Sequence, residues 1–223
     1  MYCFIVQTLL GLLFLSVVDA KADHVLKVVP EMSKTLVRVK YTLGTYVIPN
    51  TQVRGFMNLI KAQGPTLKLK TAEVSFLIAG FKSNDTTLDC HLRESLGLDY
   101  ALSEFPDSHV CSQDRLPTEG KNAVVFDQIQ FKTNDSLDID LSNIGEEEVI
   151  MEVPGSWTLH GVRREAPAQV KIQKTSNGYR VLGKHGFSLK DFGVVVKKFL
   201  FVSVQDQVEA EWDVQFASEE KIK

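Results

Sequence analysis

Apolar and polar residues alternate with a period of two along much of the chain, the spacing of a half-buried β-strand. Near the C-terminus Val208, Ala210, Trp212, Val214 and Phe216 share one face, and Glu209, Glu211, Asp213 and Gln215 share the other. Val74, Phe76 and Ile78 alternate with Glu73, Ser75 and Leu77, and Leu67 and Leu69 with Lys68 and Lys70. Val125, Ile129 and Phe131 alternate with Gln128, Gln130 and Lys132, and Val170 and Ile172 with Lys171 and Gln173. Turn signals separate these runs: Gln63-Gly64-Pro65, Ser83-Asn84-Asp85, Thr133-Asn134-Asp135 and Ser176-Asn177-Gly178. The last is a strong hairpin signal, because Asn and Gly tolerate positive φ. Strands in sequence-adjacent pairs predict an antiparallel meander, and hence a sandwich or a closed barrel.

One helix breaks the alternation. Leu92, Leu96 and Tyr100 stand at helical spacing in the stretch up to Leu102, and Phe105-Pro106 stops it. Residues 189–199 are a weaker candidate, where Val194, Val195 and Val196 favour strand or turn. No repeat, low-complexity tract or linker divides the chain after residue 22, so a single domain is expected over 23–223.

Residues 2–18 carry no charge, and 9–18 are almost purely apolar. Small residues at Ala20 and Ala22 follow, which predicts a cleaved secretory signal peptide over 1–22. An uncleaved anchor is the alternative, for which the apolar core is short of the ~20 residues a span needs. Export would leave Cys90 and Cys111 as an even pair in an oxidising compartment. A bridge between them is expected, closing a loop of about 20 residues worth roughly 3 kcal/mol. Two buried thiols are the alternative. Asn84-Asp85-Thr86 and Asn134-Asp135-Ser136 are glycosylation sequons, with meaning only in a glycosylating pathway.

Charge narrows the function. Among 223 residues, 25 Lys and Arg stand against 28 Asp and Glu, a net charge of −3, without the basic excess of a nucleic-acid binder. No Gly-x-Ser-x-Gly, His-Glu-x-x-His or Cys-x-x-Cys is present. The stretch from Gly178 to Gly183-Lys184 comes close to a phosphate-binding loop. His185 replaces its hydroxyl residue, and the flanks are strand-like where a helix must follow. The five histidines, His24, His91, His109, His160 and His185, show no metal-ligand spacing. Glu146-Glu147-Glu148 reads as a solvated turn, and Asp138 and Asp140 as water-facing positions of a strand. No catalytic residue, metal ligand or cofactor is assigned.

Three stretches resemble the YceI-like family of secreted lipid-binding proteins. The first is Asp89-Cys90-His91-Leu92-Arg93, followed by Ser95, Asp99-Tyr100 and Phe105-Pro106. The second is Thr158-Leu159-His160-Gly161-Val162, and the third is Phe187-Ser188-Leu189-Lys190-Asp191-Phe192-Gly193. Val204, Asp206, Val208 and Glu209 also fit the family's closing strand. Order and approximate spacing agree over residues 66–216. Arg163-Arg164-Glu165 and Ser188-Leu189 depart from the family pattern, as does the link 107–120 that carries Cys111.

The resemblance implies a mainly β fold, an antiparallel lipocalin-like barrel with one short helix at an end. It implies a lumen that holds a long apolar chain such as a polyisoprenoid, an isoprenoid quinone or a fatty-acid derivative. Candidate lumen contacts are then Met57, Leu59, Leu69, Phe76, Ile78, Ile129, Phe131, Trp157, Leu159, Ile172, Phe187, Trp212 and Val214. The alternative for each is plain core packing. His91 and Arg93 are candidate head-group residues, with an Arg93–Asp191 salt bridge as the structural alternative. The expected function is a secreted or periplasmic, non-enzymatic carrier of such a ligand. An interaction or adaptor protein with a filled barrel is the alternative, and a lipid hydrolase or isomerase ranks last.

Overall fold

The computed structural model describes residues 23–61, 67–83, 85–108, 119–134, 137, 139–141, 144, 149–196 and 203–218. Among these, thirteen strands and one α-helix follow in order: β1 Asp23–Val28, β2 Lys34–Tyr41, β3 Gly44–Asn50, β4 Val53–Lys61 and β5 Leu67–Leu77. Helix α1 spans Thr86–Gly97. Then come β6 Gln128–Thr133, β7 Ile139–Asp140, β8 Val149–Val153, β9 Gly155–Leu159, β10 Val162–Glu165, β11 Ala168–Thr175, β12 Gly178–Ser188 and β13 Val204–Ala217. All pairings are antiparallel, and the fold is mainly β with one helix, as the sequence predicts.

The main path of the sheet runs β10-β9-β6-β5-β4-β1-β13-β12-β11-β8. Its far end, β8, is joined to β9 near the other end through Pro154 alone. Val153 pairs with Ala168 on β11, and Gly155 pairs with Thr133 on β6. One bent stretch of chain therefore serves both sides of the seam and curls the sheet round on itself. Proline suits that position because it supplies no ladder N–H.

A second device makes the opposite corner. One edge of β13 pairs with β2 over Val204–Asp213, then with β1 at Phe216 and Ala217. A 3₁₀ turn at Pro30–Met32 lets β1 and β2 lie end to end along that edge. Ser33 stitches the corner. Its Oγ donates to the Val29 carbonyl at 2.7 Å and accepts the Gln215 N–H at 3.1 Å. The β2–β3 hairpin leaves the main path here. Asn50 anchors its far end, donating to the Leu77 carbonyl at 2.8 Å and accepting from Gln52 N–H at 2.8 Å.

The hairpin at Ser176-Asn177 forms as predicted, with Thr175 paired to Gly178. The stretch from Gly178 to Ser188 is one continuous strand, which rules out a phosphate loop there. Three details differ from the sequence reading. Val125 lies before β6 and is 54 % exposed. Ile78 lies just past the end of β5 and opens a 3₁₀ turn instead of extending the strand. The helix stops at Gly97, not near Leu102. Leu98 turns extended and bridges Val124, so Tyr100 lies beyond the helix. The bend at Gln63-Gly64-Pro65, the glutamates 146–148, Asp138, His109, Cys111 and residues 1–22 lie outside or largely outside the described residues.

Candidate ligand-binding cavity

Strand alternation and one helical face enclose a cavity of about 450 Å³. Val37 and Val39 of β2, with Tyr46 and Ile48 of β3, form one wall. Leu88, His91, Leu92, Ser95 and Leu96 of α1 form another. Their spacing of three and four residues puts them on a single helical stripe. Leu189, Val194, Val196 and Val204 close the side between β12 and β13. The lining is overwhelmingly apolar. Its polar members include Asp85, Thr87 and His91, and Asp85 and Thr87 are exposed, which places the mouth at the start of the helix.

Aromatic rings form the floor. Trp157 lies with its centroid 4.9 Å from Phe131, 5.0 Å from Phe187 and 5.4 Å from Trp212. The Phe187 ring meets it edge-on at 90°. Such tilted and edge contacts suit the ring quadrupoles. Two glycines make room for the rings. A Cβ at Gly183, the ladder partner of Trp212, would lie 2.4 Å from Trp212 Cζ2. A Cβ at Gly155 would lie 2.5 Å from Phe131 Cζ. Beneath the floor the interior is packed, with a void of only about 60 Å³.

This division sorts the sequence candidates. Phe76, Ile129, Trp157, Leu159, Phe187 and Trp212 line the upper cavity. Met57, Leu69, Phe131, Ile172 and Val214 line the small void beneath the floor. Leu59 and Ile78 are buried and line neither. The sequence reading did not single out Val37, Val39, Tyr46 or Leu88 as lining. The two valines carried the period-two signal, and Leu88, Leu92 and Leu96 carried the helical one.

The two head-group candidates separate. His91 lines the mouth, and its Nδ1 lies 3.2 Å from Oε2 of Glu94, a fully buried side chain one turn on. Helical i, i+3 spacing was the signal for Glu94. Arg93 does not line the cavity, and its Nε is buried without a hydrogen-bond partner among the described residues. The alternative raised for Arg93, an ion pair with Asp191, does not form either. The Asp191 carbonyl instead accepts from Arg164 Nε at 3.0 Å and Nη2 at 2.8 Å, because β10 brings Arg164 alongside that turn. Cys90 is buried on α1 and disulfide-bonded.

The helical wall is tied to the rest by Tyr100 and His160. The Tyr100 hydroxyl donates to the Ser95 carbonyl and accepts the Val195 N–H at 3.1 Å. Burial pushes its pKa up to about 12. His160 is buried between the rings of Tyr100 and Phe126, at 4.4 and 4.7 Å, and its Nε2 bonds to the Leu98 carbonyl at 2.9 Å. Desolvation lowers the pKa of His160, and likewise that of His185, which stacks on Trp157. His160 is thus the structural histidine that its lone position in the sequence suggests.

No curated protein matches the sequence. The fold has solved relatives. A polyisoprenoid binding domain from Saccharophagus degradans, implicated in plant cell wall breakdown, superposes with a TM-score of 0.55 at 9% identity, over 86% of this chain and 98% of that one. BcnA of Burkholderia cenocepacia gives 0.56 at 13% identity, over 86% and 99%. The family described as YceI-like domain matches residues 27–216, which takes in every strand from β2 to β12 and both walls of the cavity. The chain belongs to the YceI-like domain family.

Proposed function

We propose that this protein is an exported, non-enzymatic binder or carrier of an apolar-tailed lipid, an isoprenoid or acyl derivative, held in the barrel with its polar end at the mouth. The observation that carries this reading is the 450 Å³ cavity with apolar walls and a mouth bearing Asp85, Thr87 and His91. Its volume falls within the range of about 300–1,000 Å³ usual for small-molecule sites. Burying a tail there gains roughly 0.8 kcal/mol per methylene. The polyisoprenoid-binding relative from Saccharophagus degradans supports the ligand class. The adaptor reading requires a filled barrel. Only the part below the aromatic floor is filled, so the upper cavity favours the carrier.

The chain's only two tryptophans, Trp157 and Trp212, both line the floor, so intrinsic fluorescence reports occupancy directly. Titration with farnesol or palmitic acid is expected to shift the emission saturably. Native mass spectrometry of protein purified without detergent should show a one-to-one complex that denaturation dissolves. An unchanged spectrum and an apo mass after incubation with both ligands would sink the proposal.

A further inference from the structure

The lumen is divided, and the division has a length. The cavity above the floor measures about 450 Å³ and the void below it about 60 Å³. Trp157, Trp212 and Phe76 line both, so these three side chains are the partition. Building on the carrier reading above, we propose that this aromatic partition acts as a ruler, restricting the buried part of the ligand to a tail of sesquiterpenoid or palmitoyl length. At roughly 30 Å³ per water-sized group, and a methylene is close to that size, the upper cavity holds about 15 carbon positions. A polyprenyl tail of eight or ten isoprene units cannot be housed above the floor.

The partition is held in place by its neighbours. The Trp212 indole lies against the bare backbone of Gly183, and the Phe131 ring beneath occupies the space beside Gly155. Trp157 is wedged among Phe131, Phe187 and Trp212 at centroid distances of 4.9 to 5.4 Å. A tail that pushed past it would have to displace several packed rings to gain room for about two more groups in the void. Carbons beyond the limit stay at the mouth beside Asp85, Thr87 and His91, where they leave no water and add no affinity.

The test is calorimetric titration of the full mature chain with straight-chain alcohols from octanol to eicosanol, whose head group is constant and uncharged. Affinity is expected to rise about fourfold per methylene and then level off near 15 carbons. Trp157→Ala opens the partition and should move the break to longer chains by at least about two carbons. Ala210→Leu fills the upper cavity from β13 and should move the break to shorter chains. This second variant keeps the test decisive if the first fails to fold. Affinity that climbs without a break to eicosanol overturns the ruler, as does a break that neither folded variant moves. Failure of every alcohol to bind overturns the carrier reading itself, which is a different outcome from binding without a break.

Discussion

His160 shows how a single side chain sets a pH limit on this fold. It stands at the β9–β10 turn with φ at 50°, inside the left-handed region, and packs between two aromatic rings. Burial lowers its pKa below the ordinary 6.5, so the folded state holds the neutral ring. The unfolded chain then takes up the proton first as pH falls. The stabilisation is therefore complete above pH 6.5 and is lost as pH drops below it toward the folded pKa. His185 acts in the same sense. The carboxylates of Asp206, Glu211 and Asp213, held low by their hydrogen-bond partners, add a separate loss only at more acidic pH. Urea midpoints measured between pH 7.5 and 5 should fall, and His160→Asn, which tolerates the same φ, should flatten that slope. An unchanged slope would remove His160 from the account. At Gly183 the constraint is space. Gly183→Ala sets a Cβ against Trp212 and should cost about 1–3 kcal/mol by overpacking, read from the same urea curves. Neither effect was legible in the sequence, where Gly183 belonged to a failed loop motif and His160 was one of five scattered histidines. Both depend on tertiary neighbours, Trp212 across the ladder from Gly183, and Tyr100, Phe126 and Leu98 around His160.

Elements were easier to read, because alternation is local. β11 and most of β13 follow the predicted faces, since each has one side toward the interior and one toward water; Gln215 is the exception, buried where the polar face was expected. β5 was only partly legible. Its register against β4 shifts between Leu69 and Thr71, so Leu69, Ala72 and Phe76 all reach the interior despite breaking a strict period of two. Helix α1 was placed correctly and ended too late, because the packing of Leu98 against Val124 is a tertiary choice that side-chain spacing does not record. Its start is set by Asp85, whose Oδ1 accepts from Thr87 N–H at 2.9 Å and Leu88 N–H at 3.0 Å. Asp85→Ala should cost about 1 kcal/mol, whereas Asp85→Asn should cost little, since both residues cap well. Equal losses for the two variants would mean that the charge at the mouth matters more than the cap. The same helix carries the disulfide-bonded Cys90. Peptide mapping without reduction is expected to recover Cys90 joined to Cys111, and reduction should lower stability by about 3 kcal/mol. A Cys90 peptide free of Cys111 would overturn that pairing.

Two features belong to the whole molecule, and neither follows from any single segment. The curl of the sheet depends on β8 meeting β11 and β9 meeting β6 on the two sides of Pro154, pairings between segments distant in sequence. The cavity is a difference between the enclosed volume and the side chains that enter it, so a list of inward residues cannot locate it. That is why Phe76 and Trp212 bound the cavity while Met57 and Val214, of the same inward character, bound only the void beneath. Ligand binding depends in the same way on the assembled sheet. The upper cavity takes its walls from β2, β3, α1, β12 and β13 together, so no part of the chain can bind the tail before the barrel is assembled. A ligand confined to it binds the folded state alone, and at a hundred times its dissociation constant it should stabilise by about 2.7 kcal/mol. For a domain of this size that is a rise in melting temperature of roughly 5–10 °C, growing with the logarithm of ligand concentration. A filled adaptor barrel would melt at one temperature whatever the farnesol concentration. A ligand held on an exposed edge would still stabilise, but Trp157→Ala would leave that shift and the chain-length dependence unaltered. Melting curves across a farnesol series, run on the wild-type chain and on Trp157→Ala, separate the three.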